Sequence, residues 1–156
     1  MTTLAGRDQS SRLRLALLGL GALSAAGAVA ELSMERHWDG LIQLVPWFAV
    51  GAVVVSILLV LAAPNRQTIL LARLIAIVVA GATLFGVYEH INENHKAGAL
   101  DFRYANTWES MSAASRWWKA ATKTVGPAPV LAPGVLAEAA LCVVAATWGH
   151  PEGKKR

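Results

Sequence analysis

The stretch Leu41–Ala63, LIQLVPWFAVGAVVVSILLVLAA, decides the class of this chain, because it holds no charged residue over 23 positions. A helix rising about 1.5 Å per residue needs roughly 20 residues to cross a hydrocarbon layer about 30 Å thick. This run is long enough to cross with some tilt. It lacks the polar face that a surface helix of a water-soluble domain requires. The solvent around most of this protein is therefore lipid.

Three further apolar runs flank it, and the pattern predicts spans at about 13–34, 41–63, 68–90 and 131–148. Between them lie joints at 35–40 and 64–67 and a long connection over 91–130. Pro64-Asn65 reads as a helix stop and turn. Single polar residues interrupt three of the runs: Arg14 and Arg73 near the ends, Glu138 deeper. The short alternating strands of a barrel are missing, so helices are the spanning elements. The fold class expected is an all-α integral membrane four-helix bundle forming a single domain. Arg12 and Arg14 precede an apolar run containing Ala28-Val29-Ala30, which resembles a signal-peptidase site. The run continues into Leu32 and Met34, and we read it as a retained first span.

Composition agrees. The chain has 156 residues, 55% hydrophobic and 15% charged, against about 25% charged in average soluble domains. The net charge of +4 reports residues flanking the spans, and Lys154-Lys155-Arg156 is the one basic run. Nucleic-acid binding is not expected. A single cysteine, Cys142, excludes an internal disulfide and reads as a small apolar side chain.

Basic residues in the short segments set the orientation. Arg7, Arg12 and Arg14 precede span 1, Arg66 and Arg73 lie at the 2–3 joint, and three more end the chain. The 1–2 joint has Arg36 alone, beside Glu35 and Asp39. The positive-inside rule then places both termini in the cytoplasm of a cell with the protein in its inner (plasma) membrane. Small residues at Gly19/Leu23, Ala22/Ala26, Ser24/Ala28, Ala76/Ala80 and Ala82/Gly86 offer close-packing helix faces.

In the long connection, about 106–123 reads as an amphipathic helix between spans 3 and 4, with Asn106 able to cap it and Glu109 three residues on. Trp108, Met111, Ser115, Trp118 and Thr122 share one face, so the helix is expected to lie along the interface with its Trp side down. Trp38, Trp47, Trp108, Trp117 and Trp118 would form an aromatic belt on the outer boundary.

Titratable residues gather toward that same side. Glu31, Glu35, His37 and Asp39 end span 1, while Glu89, His90, Glu93 and His95 end span 3. Glu31 and Glu138 are expected at one level of the bundle, with Gln43 nearby, as a ligand or proton site. An ionisable residue inside a membrane costs about 2.5–3.5 kcal/mol at mid-depth and usually faces the interior and pairs. Carboxylates and histidines on different helices of a bundle can hold a transition metal, with His37, Glu89 and His90 as the residues to watch. The Glu-x-x-His spacing of di-iron bundles is absent. Haem is a poorer fit, because His37 and His90 both sit at the rim. Phosphate-loop, GxSxG and HExxH motifs are missing, which argues against an enzyme of those kinds.

The pattern Glu31-Leu32, His37, Gln43, Pro46, then Gly86, His90, then Leu131-Ala132-Pro133-Gly134 and His150-Pro151 resembles a loose group of small uncharacterised bacterial four-span membrane proteins. The resemblance implies the four-span layout and carries no activity. The functional expectation is a non-enzymatic accessory protein or complex subunit, contacting the bilayer and a membrane partner or a second copy. The alternatives are a metal or small-ligand binding protein and a small proton-coupled transporter.

Overall fold

The computed structural model describes residues 4–154, and every element among them is helical. In order these are α1 (Leu4–Met34), α2 (Leu41–Ala62), α3 (Arg66–Ala97), α4 (Ala113–Ala121), α5 (Gly134–Thr147) and α6 (Pro151–Lys154). Two 3-10 turns, Gly98–Leu100 and Trp108–Ser110, lie between α3 and α4. Lys155 and Arg156, which count toward the orientation, lie outside the described residues, as do the side chains of Arg7 and Lys154.

Three helices are long and apolar enough to cross a membrane, over Gln9–Met34, Leu41–Ala62 and Arg66–Leu100. The fourth apolar run is shorter than the expected span: α5 has 14 residues, a length of about 21 Å. Proline explains the difference. Pro127, Pro129 and Pro133 delay the start of α5 to Gly134 by removing donors and disfavouring helix in the residue before each.

Local chemistry sets the other boundaries. α1 ends in a left-handed residue, Arg36 at φ 49°. The His37 amide donates to Leu32 O at 2.9 Å and the Arg36 amide to Ser33 O at 3.2 Å, the paired bonds of a Schellman turn. Asn65 starts α3: its Oδ1 accepts from the amides of Gln67 and Thr68 at 3.0 and 3.1 Å, as an N-cap should. Thr68 answers by accepting from the Asn65 amide at 3.0 Å.

The chain forms two compact units: one comprises residues through Ala82 together with Val135 onward, the other Thr83–Gly134. The first has a core drawn from α1, α2, the early part of α3 and α5. Its buried side chains are mostly small, among them Ala25, Ala28, Ala72, Ala76, Ala139, Ala140 and Ala146. Ser24/Ala28 and Ala76/Ala80 face this core, whereas Ala22/Ala26 and Gly19/Leu23 are exposed. Gly21 lets α1 approach α5, since a Cβ there would lie 3.1 Å from Ala139 O and 3.4 Å from Cys142 Cβ. Many large apolar side chains point outward instead: Phe48 is 76% exposed, Leu74 59% and Val78 61%. In water such a surface would aggregate; in lipid it is solvated.

The second unit packs Trp108, Ala120 and Val125 against Ile91, Tyr104 and Met111. Here the expected amphipathic helix over 106–123 is corrected. The chain makes a 3-10 turn at Trp108–Ser110, extends at Met111 (φ −71°, ψ 150°), and begins α4 only at Ala113. The N-cap is Ser112, whose hydroxyl accepts from the Ser115 amide at 3.2 Å, rather than Asn106. Burial of Trp108 decides this, because a ring that is 2% exposed cannot lie on an interfacial face.

Candidate functional site

In the first unit, the end of α5 is tied by side chains from two other helices. Arg73 of α3 donates from Nη2 to the carbonyl of Thr147 and from Nε to its hydroxyl at 3.4 Å. Its guanidinium also lies 5.6 Å from the centroid of the Trp148 ring. Arg14 of α1 donates to Gly149 O at 3.1 Å. The last carbonyls of a helix lack partners and carry its negative dipole end, so two guanidiniums satisfy both needs. The two charged interruptions of spans 1 and 3 are thus the C-terminal caps of α5. His150 sits in this group, and its imidazole is held below its ordinary pKa, first by burial and then by the Arg14 and Arg73 charges, with Glu152 opposing. Its Nδ1 accepts from the Glu152 amide at 3.3 Å, which requires the unprotonated nitrogen.

Those anchors give a depth scale. Glu138 precedes Thr147 by nine residues on α5, about 13 Å along the helix. Glu31 follows Arg14 by 17 residues on α1, about 25 Å up from the same end. The two carboxylates therefore stand about 12 Å apart in level, not together as expected from sequence. Glu138 is also exposed rather than buried, and Glu31 is half-buried. Gln43 serves the start of α2: its Oε1 accepts from the Asp39 amide at 2.8 Å. The Trp47 indole donates to His37 O at 2.7 Å and pairs with Trp38 at a centroid distance of 6.4 Å.

In the second unit, polar and aromatic groups close on one another. His90 and Asn94 follow each other at one-turn spacing on α3. His90 Nδ1 lies 2.7 Å from Pro129 O; a carbonyl only accepts, so Nδ1 carries the proton. Asn94 is fully buried and bonded to Ala120 O and to both backbone groups of Ala128. His95 stacks on Trp117 at 4.4 Å and meets the edge of Trp108 at 5.6 Å, and Tyr88 stacks on the same Trp117 at 6.5 Å. Asp101 takes a bidentate grip from Arg103, at 2.9 and 2.7 Å, and that side-chain bond holds its carboxyl down at about 2. Arg103 also reaches Thr124 O at 2.6 Å.

Among the described residues no group of three or more His, Cys, Asp or Glu side chains is placed to hold a metal ion. His37, Glu89 and His90 are each half-buried, and His90 is turned to Pro129. Of the five tryptophans assigned to the outer belt, Trp38, Trp117 and Trp118 are exposed, Trp47 is half-buried and Trp108 is buried. Sequence reasoning missed Asn94 and Gly98. Their steps of four residues from His90 were the available signal. Comparison with protein-family models, with curated proteins and with solved structures returns no significant match.

Proposed function

We propose that this chain is a small multi-pass protein of the inner (plasma) membrane, crossing it four times with both termini in the cytoplasm. It acts as an accessory protein or complex subunit rather than as an enzyme. One observation carries this reading: many of the polar side chains suited to chemistry are occupied in holding the fold, while the outward helix faces are apolar apart from Glu138. Gln43 and Asn65 cap helices, Arg14 and Arg73 close α5, and His90 and Asn94 fasten the 83–134 unit. Contact with lipid and with other membrane helices is what such a surface offers.

The orientation is supported by Arg14, Arg73 and Trp148 meeting at one end of the first unit, as basic and aromatic side chains do at a cytoplasmic interface. Full-length protein extracted from its own membrane into polymer-bounded lipid discs tests the function by native mass spectrometry. The expected result is a stoichiometric complex with a different membrane protein. Protein that emerges alone, and that drives solute-coupled proton flux after reconstitution, would replace this reading with a transporter.

A further inference from the structure

The exposed residues of α5 from Val135 onward are Glu138, Leu141 and Ala145, and Trp148 follows in the next turn. Steps of 3, 4 and 3 residues place all four on a single narrow stripe, and the rest of the helix is buried or half-buried. That spacing is the seam along which two helices pack with a slight left-handed crossing. Within the stripe stands a carboxylate. Measured from the Arg-capped end, it lies about 13 Å deep, close to the middle of a layer about 30 Å thick. Glu138 has no hydrogen-bond or ion-pair partner among the described residues, so nothing described in this chain offsets its exposure to lipid.

We propose that this stripe seats a membrane-spanning helix of another protein, one that carries a lysine or arginine at the level of Glu138. The inference rests on the accessory-subunit reading and names its contact surface. Charge complementarity selects the occupant. A second copy would bring carboxylate against carboxylate, whereas a basic side chain neutralises Glu138 and supplies its donor. Ala145 allows close approach one turn below Leu141, and Leu141, at 56% exposed, supplies the apolar knob between Glu138 and Ala145.

The test uses the full chain in its native membrane, with the photo-crosslinker p-benzoylphenylalanine in place of Leu141 or Ala145. The same probe in place of Phe48 or Val78 samples the outward faces of α2 and α3. Adducts from α5 should form with one protein other than this chain, at a peptide within a turn or two of an intramembrane lysine or arginine. Their yield should fall about tenfold in Glu138→Ala and less in Glu138→Gln; both variants keep the fold because the side chain is exposed. Glu138→Lys combined with the reverse change in the partner should restore the yield. Adducts with a second copy, adducts with lipid alone, or yields indifferent to position 138 would overturn the inference. Protein adducts confined to the α2 or α3 positions would overturn it while leaving the accessory reading standing, and no protein adduct at any position would end both.

Discussion

Asn94 and Ala128 are joined by a reciprocal pair of hydrogen bonds: Asn94 Nδ2 donates to the Ala128 carbonyl at 2.9 Å, and Oδ1 accepts from the Ala128 amide at 2.8 Å. A side chain here does what a neighbouring strand would do, and it fixes the Pro-rich segment against α3. Asn94→Ala should lower the stability of the 83–134 unit by about 2–4 kcal/mol, because it leaves buried backbone groups unpaired. Tryptophan fluorescence in detergent, with Trp108 buried in the same unit, is the measurement. Asn94→Asp should also destabilise, since the lost donor faces two carbonyls.

Two glycines with positive φ should respond differently to substitution. Gly126 has φ 79°, and a Cβ there would lie 2.5 Å from Asn94 Cα, a backbone atom with no room to yield. Gly149 has φ 63° with nothing within 4 Å of its Cβ. Gly149→Ala should cost only the left-handed backbone penalty, about 1–2 kcal/mol, while Gly126→Ala should exceed it and unfold the unit at lower temperature. Thermal melts of the two variants in the same detergent decide between them.

Trp117 and Trp118 are neighbours with opposite surroundings. Trp117 stacks on both His95 and Tyr88, whereas Trp118 is 71% exposed. Trp117→Ala should destabilise the unit by about 1–3 kcal/mol through lost stacking and burial. Trp118→Ala should leave its melting temperature unchanged within error.

Arg73 is a planar donor set serving two atoms of Thr147 and lying over Trp148. Arg73→Lys keeps the charge but loses that geometry, and should cost about 1–2 kcal/mol in the unfolding of the first unit. Arg73→Met, which also removes the charge opposing the α5 dipole, should cost more. Unfolding in mixed micelles, followed by far-ultraviolet circular dichroism, ranks the two.

The His150 imidazole is held below its ordinary 6.5 by burial and by two nearby guanidiniums. The folded state therefore binds fewer protons than the unfolded chain over the interval below pH 6.5. Its stability is fully present above about 6.5 and declines as the pH drops toward the lowered value. His150→Gln should flatten this dependence as the pH falls below about 6.5. A melting temperature that falls equally in both proteins over that interval would show the cause to lie elsewhere.

The helices were readable because lipid imposes a length and forbids charge: Leu41–Ala63 and the Asn65 turn are written in residue type alone. Helix caps such as Arg14 and Arg73 look like polar intruders in a linear reading, because the carbonyls they serve lie 135 and 74 positions away. Glu138 shows the same limit. Its level relative to Glu31 follows from the capped end of α5, and that end is defined by contacts from two other helices. Trp108 misled in the other direction. Its spacing matched an amphipathic face, yet Gly98 opens a slot that its ring fills, with the nearest ring carbons crowding the position a Cβ would take.

The shortness of α5 reaches beyond the protein. α2 has 22 residues and α5 has 14, lengths of about 33 and 21 Å. Under the proposed four-span arrangement a bilayer could not match both at one thickness, and the leaflets would dimple beside α5 at a cost of fractions of a kcal/mol per Å. Such a dimple would give thin membranes, and neighbours that relieve it, a preference for that side.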